Sequence, residues 1–396
     1  MLLKELTVSV AWERLQHDWR ASIHLPIIIA ASFLLIIVFY SLRSLYRIHL
    51  HPLSKFPGPR EAAKSDLWLY HQSLSTFPEA TFEELHQKYQ AKAIRIAPNE
   101  LHIADTRLYK AIYKQSNPFP KHEAFYLGFN APSPSVFTEV DQSKHKERRR
   151  MLSPMFSRAG VLKLEDLVRE RLMLLENKVD RLCEKQKIDV YDALRCHATA
   201  VSFTSCANWQ DAGLACQDDQ PRYRKFLGLD PGKFNIPFIR QKLKIEKQFS
   251  TTCVERWRRT RGKRTAIEHP IVVDNLETLD NKALVGEAVD LLVAGSDTSA
   301  TSMAVAVLEI ISHPSIEKRL VEELDAAIPD KDNLPSIKSL ENIPYLTACV
   351  KEGIRFAAAV PGRLPRVVPN NVSTPFIVDD KVVPPGVCSI DGFRAR

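Results

Sequence analysis

The stretch that decides the fold is LLVAGSDTSATS, Leu291 to Ser302. It lies inside a long apolar run, yet it carries Gly295, Asp297 and Thr298 close together. The apolar residues continue on both sides through Leu284, Val289, Leu292, Val293, Val305, Leu308 and Ile311, from about Asn281 to His313-Pro314. A proline disfavours helical geometry in the residue before it, so the run predicts one helix that stops there. A helix this long and this apolar on most sides runs through a protein's centre. Within it, a mid-helix glycine costs up to ~1 kcal/mol relative to alanine, and a buried carboxylate without a partner costs more. Thr298 can turn its hydroxyl onto the carbonyl of Ala294 or Gly295, which loosens the ladder. One reading is a notch in a central helix: space, a bulge that admits water, and a proton carrier. The other is a glycine that lets helices pack, beside a capped or exposed aspartate. The stretch alone leaves both open.

Downstream, HPSIEKRLVEELDAAIP puts Ile316, Leu320, Leu324 and Ile328 on one face of a short helix begun by proline. NIPYLTACVKEGIRF starts another, with Glu352 and Arg355 three residues apart on one side. In PGRLPRVVP, Pro361, Pro365 and Pro369 exclude helix and predict an extended, arginine-bearing strand. Upstream, AIRIAPNELHIAD (Ala93 to Asp105) alternates like two strands joined at Pro98-Asn99. The chain past Pro154 is amphipathic and helical. NAPSPSVF, Asn130 to Phe137, reads as a surface loop, with a pocket-lining segment as the alternative. Residues 200–270 show no sustained period.

With 396 residues, 45% of them hydrophobic, the chain can bury a large core. The net charge of +8 is dispersed rather than gathered in one patch. That suits an anionic membrane or an acidic partner and excludes nucleic-acid reading. Seven cysteines, an odd number with no CxxC spacing, indicate neither a disulfide framework nor a zinc site, and no metal ligands are assigned.

From Leu25 to Leu42, LPIIIAASFLLIIVFYSL has no charged side chain. About eighteen residues at 1.5 Å each nearly cross the hydrocarbon of a bilayer. A cleaved signal peptide would have a shorter apolar core. Arg43, Arg47 and Lys55 follow the span, against Lys4, Arg14 and Arg20 before it, a slight bias towards a cytosolic main body. The expected layout is an N-terminal segment (1–24), a transmembrane helix (25–42), a basic, proline-rich hinge (43–60) that includes FPGP, and a globular body (61–396).

This order of motifs resembles the cytochrome P450 monooxygenases of membrane-anchored, filamentous-fungal type. AGSDTS looks like the family's oxygen-activation motif, KEGIR like its ExxR pair, and GRLPRVVP like the strand that follows. KFPGPR is similar to the hinge after the anchor, and HKERRRMLSPMFS to the helix that holds haem propionates. The resemblance implies a mainly α fold with small β-sheets behind an N-terminal transmembrane helix. It implies haem b, NADPH supplied through a separate membrane-bound cytochrome P450 reductase, a small lipophilic substrate of fungal secondary metabolism, and a single-pass place in the endoplasmic reticulum with a cytosolic body. By residue, it implies proton relay by Asp297 and Thr298, propionate contacts from His145, Arg149 and Arg366, and a structural pair in Glu352 and Arg355.

One family element is missing. The thiolate that ligates iron comes from a loop of form FxxGxRxC, and no such motif occurs in these residues; Cys388, in PPGVCSI, reads as an ordinary strand cysteine. The expectation is a C-terminally truncated P450 fold, inactive as an oxygenase, in which haem binding is doubtful. The alternative role is a non-catalytic, membrane-anchored remnant or interaction partner.

Overall fold

The computed structural model describes residues 28–391, apart from 75–77, 115, 131, 184–186, 208–235, 261–270, 332, 361 and 371–373. Much of the stretch 200–270, where no period was readable, therefore lies outside the described residues, as does the start of the expected transmembrane segment. The chain divides into two compact units, one built from the part up to Phe119 and from Gly362 onward, the other from the part between.

The first unit begins with α1 (Ile28–Leu50), a helix with no buried residues and a mean hydropathy of 2.1. It is long and apolar enough to cross a membrane. It runs eight residues past the expected end at Leu42, into a π-helical turn over Tyr46–Leu50. That last turn is fixed to the body: Arg47 Nη1 donates to the Lys64 carbonyl at 2.5 Å, and Arg95 Nη1 donates to the Arg47 carbonyl at 2.6 Å. The expected hinge is therefore partly helix.

Short helices α2 (Arg60–Lys64), α3 (Leu67–Ser73) and α4 (Pro78–Tyr89) lead to β1 (Ala93–Ala97) and β2 (Glu100–Ile103), followed by α5 (Thr106–Ile112). The strands are antiparallel and turn at Pro98-Asn99, as their alternation predicts. The unit resumes with β3 (Arg366–Val367), β4 (Phe376–Val378), β5 (Lys381–Val383) and β6 (Cys388–Asp391). The main sheet has the order β1-β2-β6-β3, with β6 parallel to β2 and antiparallel to β3. The extended stretch expected over PGRLPRVVP shrinks to the two residues of β3, because its prolines cannot donate to a ladder. Leu53, Phe56, Leu101, Ile103, Phe376 and Val383 form the unit's main core.

Gly58 of the hinge lies against β1, where Arg95 N donates to the Pro57 carbonyl at 2.7 Å. A Cβ at Gly58 would sit inside van der Waals contact of the Arg95 carbonyl and 3.0 Å from its nitrogen, and neither backbone atom can swing away. Gly58→Ala is expected to cost about 1–3 kcal/mol. An unchanged denaturant midpoint for this unit would contradict that packing.

The second unit contains α6 (Glu123–Leu127), α7 (Gln142–Leu152), α8 (Arg158–Leu162), α9 (Glu165–Cys183), α10 (Val190–Ala207), α11 (Ile236–Thr260), α12 (Asn281–Ser312), α13 (Pro314–Ala327), α14 (Ile337–Leu340) and α15 (Pro344–Ala357). α12 is the predicted long helix, with the predicted ends. The Asp280 side chain caps its start by accepting from Ala283 N at 2.7 Å, and Pro314 opens the next helix. α10 packs along α12 more extensively than any other helix does, and α15 crosses it where Gly353 meets Ala306. Leu152, Trp257, Val272, Leu276, Leu284 and Val289 make the core beside the first half of α12. The second half departs from expectation. Val307, Leu308 and Ile311 are exposed. α12 also passes a length-and-hydropathy test for a membrane span, but its fully buried Glu287 marks it as a core helix.

Candidate functional site

The AGSDTS turn of α12 is held by α10. Thr298 Oγ1 donates to the Ala294 carbonyl at 2.6 Å, the back-bond expected from the sequence. Arg195 Nε, from α10, donates to Asp297 Oδ1 at 2.7 Å. The arginine side chain is 8% exposed and the aspartate 34%. Asp297 is thus neither unpartnered nor fully buried. Gly295 serves as a packing residue: the Ser202 side chain of α10 fills the room that a Cβ would need. The space of the sequence-level notch is therefore taken by a neighbouring helix on that side.

A second polar cluster lies about two turns earlier. Arg148 of α7 donates to Glu287 Oε1 at 2.8 Å and lies 3.6 Å from Glu139. Glu287 Oε2 accepts from Val136 N at 3.0 Å. Burial raises the Glu287 carboxyl above its ordinary value, against the pull of Val136 N–H and Arg148. Asp290 accepts from the Ser135 hydroxyl, and Ser133 Oγ donates to the Lys282 carbonyl at 3.1 Å. The segment read as a surface loop, Asn130–Phe137, is instead strapped to α12, because Ser133, Ser135 and the Val136 amide all find partners on that helix.

Asp290 is pushed up to about 6 by burial, aided by nearby Glu287 and opposed by Ser135 and Lys121. A raised carboxyl value stabilises the fold fully below its ordinary value, and that contribution is lost as pH rises through about 6. Asp290→Asn is therefore expected to match the parent near pH 4 and to exceed it by roughly 1–2 kcal/mol near pH 7.5. Urea melts at the two pH values test this; equal gains at both would refute it.

The other sequence-predicted residues fall as follows. His145 is half-buried on α7 and Arg149, on the same helix, is exposed; the arginine of that run that turns inward is Arg148. Arg366 lies in β3 of the first unit, its guanidinium 5.4 Å from the Tyr113 ring centre. The three residues expected to hold propionates are thus divided between the two units. Glu352 and Arg355 do pair, Arg355 Nε donating to Glu352 Oε2 at 2.8 Å, but on an exposed face of α15 rather than inside a core. Arg148 and Arg195 were missed in the sequence because their partners lie more than a hundred residues away.

A haem-thiolate centre needs an anionic sulfur. Cys388 is buried in β6, its amide bonded to the Asn99 carbonyl at 3.0 Å, and burial pushes its thiol up to about 12. Burial also raises the Cys349 thiol. Cys253 is buried in α11. Cys388 sits in the strand enclosed between β2 and β3, and no group of three or more metal-ligating side chains occurs among the described residues.

A helical body with small sheets, a long helix bearing AGSDTS and an ExxR pair point to a class, and comparison with known proteins agrees. The cytochrome P450 family model matches residues 240–387. The cytochrome P450 monooxygenase aneF of Aspergillus aculeatus is 31% identical, over 89% of this chain and 77% of its own length. The fusicoccadiene C-8 hydroxylase of Alternaria brassicicola is 30% identical over 89% and 75%, and the monooxygenase sdnE of Sordaria araneosa 28% over 86% and 73%. Among solved structures, the haem domain of cytochrome P450DA superposes with a TM-score of 0.67 at 13% identity, over 86% of this chain and 77% of that one, which shows the shared fold. The chain belongs to the cytochrome P450 monooxygenases.

Proposed function

We propose that this chain carries the scaffold of a membrane-anchored monooxygenase acting on a small lipophilic molecule of fungal secondary metabolism, and that these 396 residues do not themselves supply the sulfur that oxygen activation needs. The family's relatives support the first part; one is named for hydroxylating fusicoccadiene. The observation that carries the second is Cys388, buried in the strand between β2 and β3, in a sequence without FxxGxRxC. The family's haem would provide redox chemistry and its electrons would come from NADPH through a reductase. Asp297, held by Arg195, and Thr298 are the candidate proton-handling pair. His145, Arg149 and Arg366 are the candidate propionate cations, and Glu352 with Arg355 a structural pair. The exposed, apolar α1 supports anchoring in a membrane; the family resemblance is the ground for proposing a single pass in the endoplasmic reticulum with the body in the cytosol.

The test is a carbon monoxide difference spectrum on reduced membranes that express these residues. No Soret band at the thiolate position is expected; such a band would overturn the reading. A second reading, a non-catalytic partner for a related enzyme, is favoured by one feature: Leu308 and Ile311 of α12 and Ile354 and Phe356 of α15 are exposed. Co-purification with a haem-loaded relative, or its absence, decides it.

A further inference from the structure

A short strap, residues 132–137, lies across the first half of α12, and three polar contacts hold it there. The Ser135 hydroxyl donates to Asp290, Val136 N donates to Glu287 Oε2 at 3.0 Å, and Ser133 Oγ donates to the Lys282 carbonyl at 3.1 Å. Two of the three end on carboxyl groups. Gly286 permits the close approach, since a Cβ there would lie 3.0 Å from both the Ser133 carbonyl oxygen and its Oγ. Ser135 N donates to Thr138 Oγ1 at 2.9 Å and Thr138 N to Ser135 Oγ at 3.3 Å, which makes residues 135–138 one compact turn.

Few charged groups face Asp290. Glu287, on its own helix, repels the ionised form, and Lys121, just before α6, attracts it. The Lys121 ammonium is itself engaged by the Val136 and Phe137 carbonyls, at 3.1 and 2.7 Å. Residues 132–137 carry no charge. Beyond Glu287 stand Glu139 and, on α7, Arg148, which is held between those two carboxylates. An ionised Asp290 beneath the strap is therefore largely out of water with one hydroxyl as its partner, while a protonated one keeps that contact without burying a charge. Burial pushes this carboxyl up to about 6. Lifting the strap returns it to water, where the ionised form is favoured. A proton thus binds the shut strap more tightly than the lifted one, so acid shuts it and a rise in pH through about 6 loosens it. The shut strap has a second weakness: Asn130 Oδ1, at its start, is buried with no partner among the described residues.

We infer that this strap is a pH-sensitive latch, shut on α12 while Asp290 holds a proton and loosened when that carboxyl ionises. Asp297 follows Asp290 by about two turns on the same face, so lifting uncovers α12 just upstream of the AGSDTS turn. The latch is a property of the second unit alone and stands apart from the choice between the two functional readings.

The test is amide hydrogen exchange on the full chain at pH 5 and pH 7.5, corrected for the intrinsic pH dependence of exchange. If lifting restores Asp290 to the ordinary carboxyl range, the amides of Ser135, Val136 and Thr138 are expected to be about tenfold more protected at pH 5. They are also expected to exchange faster than the Leu284 to Val289 amides beneath them, because the strap lifts while the helix stays folded. Asp290→Asn is expected to keep the strap at its acid level of protection at both pH values, and Gly286→Ala, which pushes Ser133 away, to lower protection at both. Equal protection of the strap at pH 5 and 7.5, or a full pH slope retained in Asp290→Asn, would overturn the latch. So would strap amides that exchange no faster than those of α12, since the opening would then be the unfolding of the whole unit. Should Asp290→Asn not fold, the slope and the order of exchange in the unmodified chain remain decisive.

Discussion

Arg148→Met is expected to destabilise the second unit by about 3–5 kcal/mol, while Arg149→Met, one residue further on, changes it by less than about 0.5 kcal/mol. The asymmetry follows from where each side chain points. Arg148 is 14% exposed and lies between Glu287, 0% exposed, and Glu139, 8% exposed. Removing it leaves two carboxylates close together and largely out of water, with no cation to offset either one. Arg149 faces solvent. The loss at Arg148 should shrink as pH falls, because burial has already raised the Glu287 carboxyl and protonation removes the uncompensated charge. Chemical denaturation followed by fluorescence of buried Trp257 reports on this unit. Equal effects from both arginines would mean that the triad is not where the stability lies.

At the AGSDTS turn, Asp297→Ala is expected to cost about 2–4 kcal/mol and Arg195→Met about 1 kcal/mol. The two changes break the same 2.7 Å bond, so a simple account of the contact would make them equal. They differ in what is left behind. Without Asp297, the Arg195 guanidinium remains nearly buried; without Arg195, Asp297 is still one-third open to water. Asp297→Asn keeps an oxygen for the Nε–H and should fall between them. A larger loss from Arg195→Met than from Asp297→Ala would show that the aspartate carries the burial cost.

Much of this architecture was readable along the chain because the signals are local. The apolar run marks the start of α12 and His313-Pro314 its end, Pro98-Asn99 marks the β1–β2 turn, and the Thr298 back-bond spans only four residues. The polar partners of α12 were not readable. HKERRR offers three adjacent arginines, and only the rotation of α7 decides that the first of them turns inward. Arg195 stands in a helix whose sequence gives no reason to single it out, and Gly295 looks alike whether it admits a ligand or Ser202. The end of α1 was not legible because Arg43, Arg47 and His49 end the apolar run without ending the helix, and Arg47 and Arg95 hold its last turn in place.

That last turn has a mechanical consequence. A flexible tether would let the body tumble while its helix leaned to suit the lipid. Here the two arginines couple the sheet to the helix, so on the proposed anchored reading of α1 the lean of the helix in a thicker or thinner bilayer would carry β1 and β2 with it. Bilayer thickness would then set how the first unit is presented to anything approaching across the membrane plane.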